Sequence, residues 1–231
     1  MPRIFSIYQN KLILYNNKTE PSQNAILSLI KNQLGVKSII EDSSTSKVYL
    51  NKNGELVVNS IEYRLDTDFT PNLTQWSVEL YFYFTKTPTT TQNIVNWGVS
   101  GSRIKIGYTG SHNGLVVQSN GDATRVISTD SNLLSPHHLI VTMNNGALTS
   151  YLDGVKTVLC ESWSTQTSHT GTLKIGTKYD ATKEFANINL RTFRFYDGKV
   201  LTDEEALQNY NYEINRGWYI CLEYFLFIKI N

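Results

Sequence analysis

Aromatic rings close to turns are the residues of this sequence with the most specific potential chemistry. Sugar recognition uses exposed rings that stack on a sugar face, together with Asn and Asp side chains that bind hydroxyl groups. Each ring could equally pack in a core or at a sheet edge, and only a cluster of exposed rings would favour ligand binding. The candidate ligand-binding residues near predicted loops and strand ends are Trp97, Tyr108, Asn113, Trp163 and Tyr179.

Patterns typical of catalysis are weak by comparison. Cleavage of a sugar chain needs two carboxylates that face one glycosidic bond. Asp66 and Asp68 alternate, but the Phe-Thr-Pro run at 69–71 ends that segment. His137 and His138 are adjacent, so on a strand they point to opposite faces and cannot serve one centre. We therefore expect no catalytic residues.

Composition and charge limit the class of protein further. The 231 residues are 40% hydrophobic, which is enough to bury a core. The 21 basic and 20 acidic side chains leave a net charge of +1, so we do not expect a dedicated nucleic-acid binder. No run of 18 apolar residues predicts a membrane span, and no signal peptide is recognisable at the N-terminus. The two cysteines, Cys160 and Cys221, are too few for a disulfide framework; we expect two buried free thiols, with one bridge between them as the alternative.

Short strands separated by turn signals fill the region from about residue 60 to 200. The segment 77–84 alternates and is rich in strand-forming residues. Asp153-Gly154 is the dipeptide of a tight hairpin turn between the segments 150–152 and 156–159. Strands at this spacing predict an antiparallel β-sandwich or jelly roll rather than β-α-β units.

The two ends of the chain differ from this central region. Residues 1–56 predict a small α+β module for anchoring or assembly, with strands near 4–8 and 11–15, a helix from Ser22 to Leu34 and a hairpin around 48–58. Thr202 and Glu205 predict a capping box that opens a short C-terminal helix ending near Tyr212. The apolar tail 213–231 predicts a strand covered by the N-terminal module or a partner subunit.

Several segments, in order along the chain, carry a family resemblance. They are WSVELYF at 76–82, HHLIVT at 137–142 with YLDGV at 151–155, and LKIG at 173–176 with FRFY at 193–196, LTDEE at 201–205 and QNYN at 208–211. Together they resemble the laminin-G-like, concanavalin A-like jelly-roll family over residues 57–212. Ser135-Pro136 stands where the family usually has tryptophan, and Arg191-Thr192 stands where many members have an acidic pair.

The resemblance implies a mainly β protein, an antiparallel concanavalin A-like sandwich. It also implies calcium as a candidate cofactor, because calcium is common at the rim of these sandwiches, where carboxylates and carbonyls bind it. No loop is dense in Asp and Asn, and the candidate ligands in loops are Asp122, Asp130 and Asp180.

The closing segment also resembles laminin-G-like proteins of bacteriophage virions. This implies a non-enzymatic structural or adhesion protein of a capsid, tail or baseplate, made in the host cytoplasm and assembled with other virion proteins. Its lectin-like jelly roll would bind host-surface glycans. The alternatives are a polysaccharide depolymerase on the same scaffold and a purely architectural packing domain.

Overall fold

The computed structural model describes most of the central region and parts of both ends. The described residues are 3–7, 38–39, 49–50, 56–59, 65–66, 70–71, 74–119, 124–129, 132–163, 171–179 and 183–227. The strand predicted at 11–15 and the helix predicted from Ser22 to Leu34 lie outside them.

Two β-sheets form the body of the molecule. Sheet I contains, in spatial order, β13 (Val155–Cys160), β12 (Ala147–Leu152), β11 (His137–Asn144), β6 (Gln75–Phe84), β15 (Asn187–Asp197), β4 (Leu56–Asn59) and β3 (Tyr49–Leu50), and β1 (Arg3–Ile7) also pairs with β15. Sheet II contains, in spatial order, β10 (Arg125–Ser128), β9 (Gly114–Ser119), β8 (Ser102–Thr109), β7 (Gln92–Val99), β14 (Leu173–Ile175), β5 (Leu65–Asp66) and β2 (Ser38–Ile39).

The predicted antiparallel sandwich is confirmed. Every ladder between these strands is antiparallel in the described ranges, and the longest joins β15 to β6. Alternation along β6 sends Val78, Leu80 and Phe82 into the space between the sheets, where each is at most 1% exposed. The same alternation sends Ser77 and Glu79 to the opposite face of sheet I.

Aromatic side chains from both sheets meet at the centre of the sandwich. Trp76 of sheet I packs edge-on against Trp97 of sheet II, with ring centroids 5.0 Å apart. Trp97 also packs edge-on against Phe195, at 5.4 Å. All three rings are fully buried. Edge-to-face pairs of this kind add about 0.5–1.5 kcal/mol each beyond the area they bury.

The predicted hairpins and helix cap are present. The β3–β4 hairpin pairs Tyr49 with Val57. Asp153 and Gly154, at φ 51° and 80°, both adopt the left-handed conformation that a tight type I′ turn between β12 and β13 requires. Thr202 and Glu205 exchange two bonds, in which the backbone N–H of each donates to the side chain of the other at 3.0 and 3.2 Å. This is the capping box expected from the sequence.

The described strands of residues 1–56 belong to the two sheets of the sandwich. β1 and β3 lie in sheet I, whereas β2 lies in sheet II. The division into a module at 1–56 and a jelly roll at 57–212 stays a prediction, because much of that module lies outside the described residues.

Besides the two-residue strands β2 and β5, which were not predicted, two longer elements differ from expectation. β7 was not predicted, because Asn93, Asn96 and Gly98 weaken its strand signal. The C-terminal helix α1 runs from Asp203 to Phe227, so the expectation that it ends near Tyr212 and is followed by a strand is corrected. Strand propensity is a weak preference, and a helix that is already capped can extend through aromatic and β-branched residues at a small cost per residue.

Candidate functional site

Three of the predicted ligand-binding rings lie in the core. Trp97 is fully buried, and Trp163 and Tyr108 are 3% and 5% exposed. Their position corrects the expectation that they lie near the surface, because the inward-facing positions of sheet II place Trp97 and Tyr108 between the sheets. None of these three rings is available to stack on a ligand in this structure.

The predicted residue Asn113 lies in the exposed turn between β8 and β9. It adopts φ 48°, a left-handed conformation that asparagine tolerates well. The Tyr108 hydroxyl donates a hydrogen bond to its side-chain oxygen, with 2.8 Å between the two oxygen atoms. Asn113 therefore stabilises this turn, and the bond holds the Tyr108 ring in the core.

Tyr179 is the predicted ring that remains half-exposed, and two cations lie against it. The guanidinium carbon of Arg103 is 4.9 Å from the ring centroid, and Nζ of Lys178 is 4.8 Å from it. These distances are typical of cation–π contacts. Arg103 lies on β8 and Tyr179 follows β14, so residues 76 positions apart in sequence share one surface site.

Two further charges belong to the same site. Lys105 Nζ is 3.8 Å from a carboxylate oxygen of Glu184. Burial lowers the pKa of Lys105, the Glu184 carboxylate opposes that change, and the charges of Arg103 and Lys178 add to it. Because these four groups influence one another, we name them together with Tyr179 the Tyr179 cluster. The cluster carries three cations and one carboxylate.

Glu184 is held in place by the neighbouring strand. It adopts φ 59°, which is uncommon for a residue other than glycine, asparagine or aspartate. Asn93 on β7 donates to it twice, from its backbone N–H to the Glu184 carbonyl and from its side-chain amide to the carboxylate, each at 2.9 Å. These two bonds compensate for the strained backbone and fix the carboxylate beside Lys105.

A row of polar side chains crosses sheet II beside the cluster. Residues directly opposite each other in adjacent antiparallel strands share a face, and this row lies on the outward face. It contains Gln118, Lys105, Asn96 and Lys174. The row could not be read from the sequence, because one polar position on each of four strands becomes a surface feature only when the strand registers are known.

Asn96 is an unusual member of this row. It is fully buried, and neither atom of its side-chain amide has a hydrogen-bond partner in the part of the chain that the structure describes. A buried amide without partners costs about 1–3 kcal/mol. The amide is therefore an uncompensated buried polar group next to Lys105.

A second charged network lies on the outer face of sheet I, under α1. Arg194 donates to the carboxylates of both Glu79 and Glu213, and its contact with Glu213 is 2.6 Å. His138 Nε2 lies 3.0 Å from Glu79, whose other carboxylate oxygen accepts a hydrogen bond from Tyr196. Burial raises the pKa of Glu79, but the His138 hydrogen bond and the Arg194 charge outweigh it and hold the pKa below its usual value.

This network fastens α1 to the sheet rather than forming an open site. Glu79 and Glu213 are fully buried, so a substrate in solution cannot reach either carboxylate. Asn209 on α1 also donates to Glu79, at 3.0 Å. Polar outward positions on β6, β11 and β15 were a sequence signal for such a network, but its partners are as many as 130 residues apart.

His137 and His138 have separate partners, as their adjacency predicts. His137 Nδ1 lies 2.7 Å from the carboxylate of Asp153, which also accepts a hydrogen bond from the His138 backbone N–H at 2.8 Å. Burial raises the pKa of Asp153, whereas the hydrogen bonds from His137 and from the His138 backbone lower it, with a net shift below the usual value. These bonds lock the β12–β13 turn against β11.

Neither a metal centre nor a membrane helix is found in the described ranges. No three side chains among His, Cys, Asp and Glu gather as metal ligands there. Asp122, Asp130 and Asp180 lie outside those ranges, so calcium binding by them stays a prediction. The helix that is described lacks the combination of length and apolar composition needed to cross a bilayer.

The fold and these motifs define the class of protein. The family model of the concanavalin A-like lectin/glucanases superfamily matches residues 42–206, which is most of the chain. The chain belongs to this superfamily. No curated protein is significantly similar to it in sequence.

Solved structures share the fold at low sequence identity. Domain 4 of an extracellular arabinanase from Geobacillus stearothermophilus, in complex with arabinotriose, has a TM-score of 0.55 and 17% identity, over 75% of this chain and 84% of that domain. The binding domain of botulinum neurotoxin DC, in complex with SialylT, has a TM-score of 0.55 and 15% identity, over 71% of this chain and 44% of that one. The NanB sialidase of Streptococcus pneumoniae has a TM-score of 0.53 and 15% identity, over 66% and 27%.

The last two structures are much longer than the part that matches. The chain spans less than half of the neurotoxin binding domain and about a quarter of the sialidase chain. At these identities the likeness shows the fold and nothing more specific.

Proposed function

We propose that this protein is a non-enzymatic glycan-recognition protein whose ligand contacts the Tyr179 cluster. The observation that carries this function is a half-exposed aromatic ring flanked by Arg103 and Lys178, beside a polar row on sheet II. An aromatic ring with hydrogen-bonding side chains around it is the combination that sugar recognition requires. The superfamily and two neighbours determined with bound sugar ligands support this function.

A depolymerase on the same scaffold is the competing function. It requires two carboxyl groups in an open cleft, about 5–10 Å apart. The pair Glu79 and Glu213 is sealed beneath α1. In the Tyr179 cluster, Glu184 is the only carboxylate among the described residues, and it is engaged by Asn93 and Lys105. Both observations favour binding over hydrolysis.

The setting we propose is a bacteriophage particle. The chain would be made in the host cytoplasm and assembled with other virion proteins in a capsid, tail or baseplate. Residues 217–227 continue α1 with an apolar run, which suits a segment that packs in an assembly. The glycan would then be a host-surface glycan, and the sandwich would serve in attachment.

The test is a glycan array probed with the full chain and two variants. Tyr179→Ala removes the ring of the cluster, and Tyr212→Ala removes an exposed ring on α1 as a matched control. We expect binding by the full chain and by the control, and loss of at least tenfold in apparent affinity with Tyr179→Ala. An array without any bound glycan would contradict the function and favour the architectural alternative.

A further inference from the structure

We propose that the Tyr179 cluster selects acidic glycans, binding the negatively charged group of a sugar through Arg103. This inference rests on the proposed function and adds the class of ligand to it. The observations that carry it are the charge balance of the cluster, the free donors of Arg103 and the confinement of its single carboxylate.

The cluster concentrates positive charge on a nearly neutral chain. Among its described residues the cluster contains three cations, Arg103, Lys105 and Lys178, and one carboxylate, Glu184, which lies beside Lys105, so these four groups sum to a net charge of about +2. The whole chain carries only +1. Three cations held together with one anion repel one another, and an arriving anion relieves that repulsion. A neutral sugar would not relieve this repulsion.

Arg103 provides the donors for such an anion. Its guanidinium lies over the Tyr179 ring, and within the described residues it has no hydrogen-bond acceptor. The side chain is partly exposed. A guanidinium carries five N–H donors, and two of them in parallel match the two oxygens of a carboxylate.

Glu184 does not satisfy Arg103. Its carboxylate accepts the hydrogen bond from Asn93 at 2.9 Å and lies 3.8 Å from Lys105, so it is turned toward sheet II. The left-handed backbone of Glu184 is fixed by a second bond to Asn93. The Glu184 carboxylate is therefore engaged by Asn93 and Lys105, and the N–H donors of Arg103 remain for a ligand.

The small extent of the cluster and the near-zero net charge of the chain favour a sugar ligand over a nucleic-acid backbone. A protein that follows phosphates needs several cations spread along a groove, and its affinity falls steeply with salt for each phosphate that it neutralises. This cluster is a single site on a chain of nearly zero net charge. It fits one anionic group next to an apolar sugar face on Tyr179.

The experiment compares acidic glycans with their neutral parents on one array. The pairs are 3′-sialyllactose with lactose, a galacturonate oligomer with its methyl ester, and sulfated with unsulfated lactose. The proteins are the full chain, Arg103→Gln, Arg103→Lys and Lys86→Gln. Lys86 is an exposed residue after β6, so its replacement changes the net charge without touching the cluster.

We expect at least one acidic glycan to bind tenfold or more tightly than its neutral parent. Arg103→Gln should abolish this preference, Arg103→Lys should retain part of it, and Lys86→Gln should leave it unchanged. The carboxylate and sulfate pairs identify which anion is bound. Thermal unfolding of each variant verifies that it is folded.

Equal binding of acidic and neutral partners would overturn the acidic-glycan inference. If that equal binding still required Tyr179, the proposed function would stand without the inference. A preference for acidic glycans that survives Arg103→Gln would also overturn it. Absence of all glycan binding would overturn both.

Discussion

Two buried polar side chains of this sandwich lie in unusual electrostatic environments. Asn96 has a fully buried amide without partners among the described residues, and Arg194 is the cation between two fully buried carboxylates. Replacing Asn96 removes an uncompensated polar group, whereas replacing Arg194 leaves two buried carboxylates without their cation. The two substitutions should therefore have opposite effects on stability.

Asn96→Leu should stabilise the protein or leave it unchanged. Leucine has nearly the same size and removes the unpartnered amide, which costs about 1–3 kcal/mol when buried. Urea unfolding should show a midpoint equal to or above that of the unchanged chain. A loss of more than about 1 kcal/mol would mean that the Asn96 amide has a partner in solution.

Arg194→Met should destabilise the protein strongly. It leaves Glu79 and Glu213 buried without their shared cation, and removing one partner of a buried ion pair costs about 3–5 kcal/mol. Arg191→Met is the matched control, because Arg191 is half-buried and lies over the Tyr81 ring at 5.1 Å. Equal, small losses for both variants in urea unfolding would contradict the network.

At the scale of elements, α1 has two parts with different roles. Its first part is capped by Thr202 and is fastened to sheet I by Asn209 and Glu213. The residues from 217 onward are almost entirely apolar in sequence, and they take no part in the hydrogen bonds just named. The first part therefore stabilises the sandwich, and the proposed assembly role would belong to the second.

Deletion of residues 217–231 should separate these roles. The truncated chain should keep the thermal stability of the sandwich, because Asn209 and Glu213 remain. Its incorporation into particles, followed by mass spectrometry of purified virions, should be lost. A chain that lacks only 228–231 is the control. Normal incorporation of the longer deletion would refute an anchoring role for this part of α1.

At the scale of the whole molecule, the sequence is more informative about the sandwich than about the site. Alternation, the Asp153-Gly154 turn and the Thr202 cap are local signals, and they predicted the antiparallel strands, a hairpin and the start of α1. The Tyr179 cluster joins Arg103, Lys178 and Glu184 from three separate segments. Such a cluster depends on strand order and register, which a single sequence does not reveal.

Local sequence signals also did not predict which of these side chains are buried. Trp97 was expected near a loop because the strand that contains it was not recognised. Its neighbour Asn96 has a side chain that is unfavourable in strands, yet it occupies a central position of sheet II. Packing between the sheets overrides these local preferences.

The protein as a whole should lose stability in acid. The pKa values of Glu79 and Asp153 lie below their usual values of 4.5 and 3.8 in the folded state. A lowered folded-state pKa stabilises the protein above the usual value, and this contribution is lost as the pH falls through the folded-state value. The melting temperature should therefore fall as the pH is lowered from about 5 to 3. An unchanged or rising melting temperature over that interval would contradict the two networks.

Glycan binding at the Tyr179 cluster can be observed residue by residue. The measurement is an NMR titration of the isotopically labelled full chain with the strongest glycan from the array, followed through the backbone amide signals. We expect saturable shifts concentrated at Arg103, Lys105, Lys178, Tyr179 and Glu184, with unchanged signals along β13. Shifts that instead centre on β13, on α1 or on the turn at Asn113 would contradict binding at the cluster.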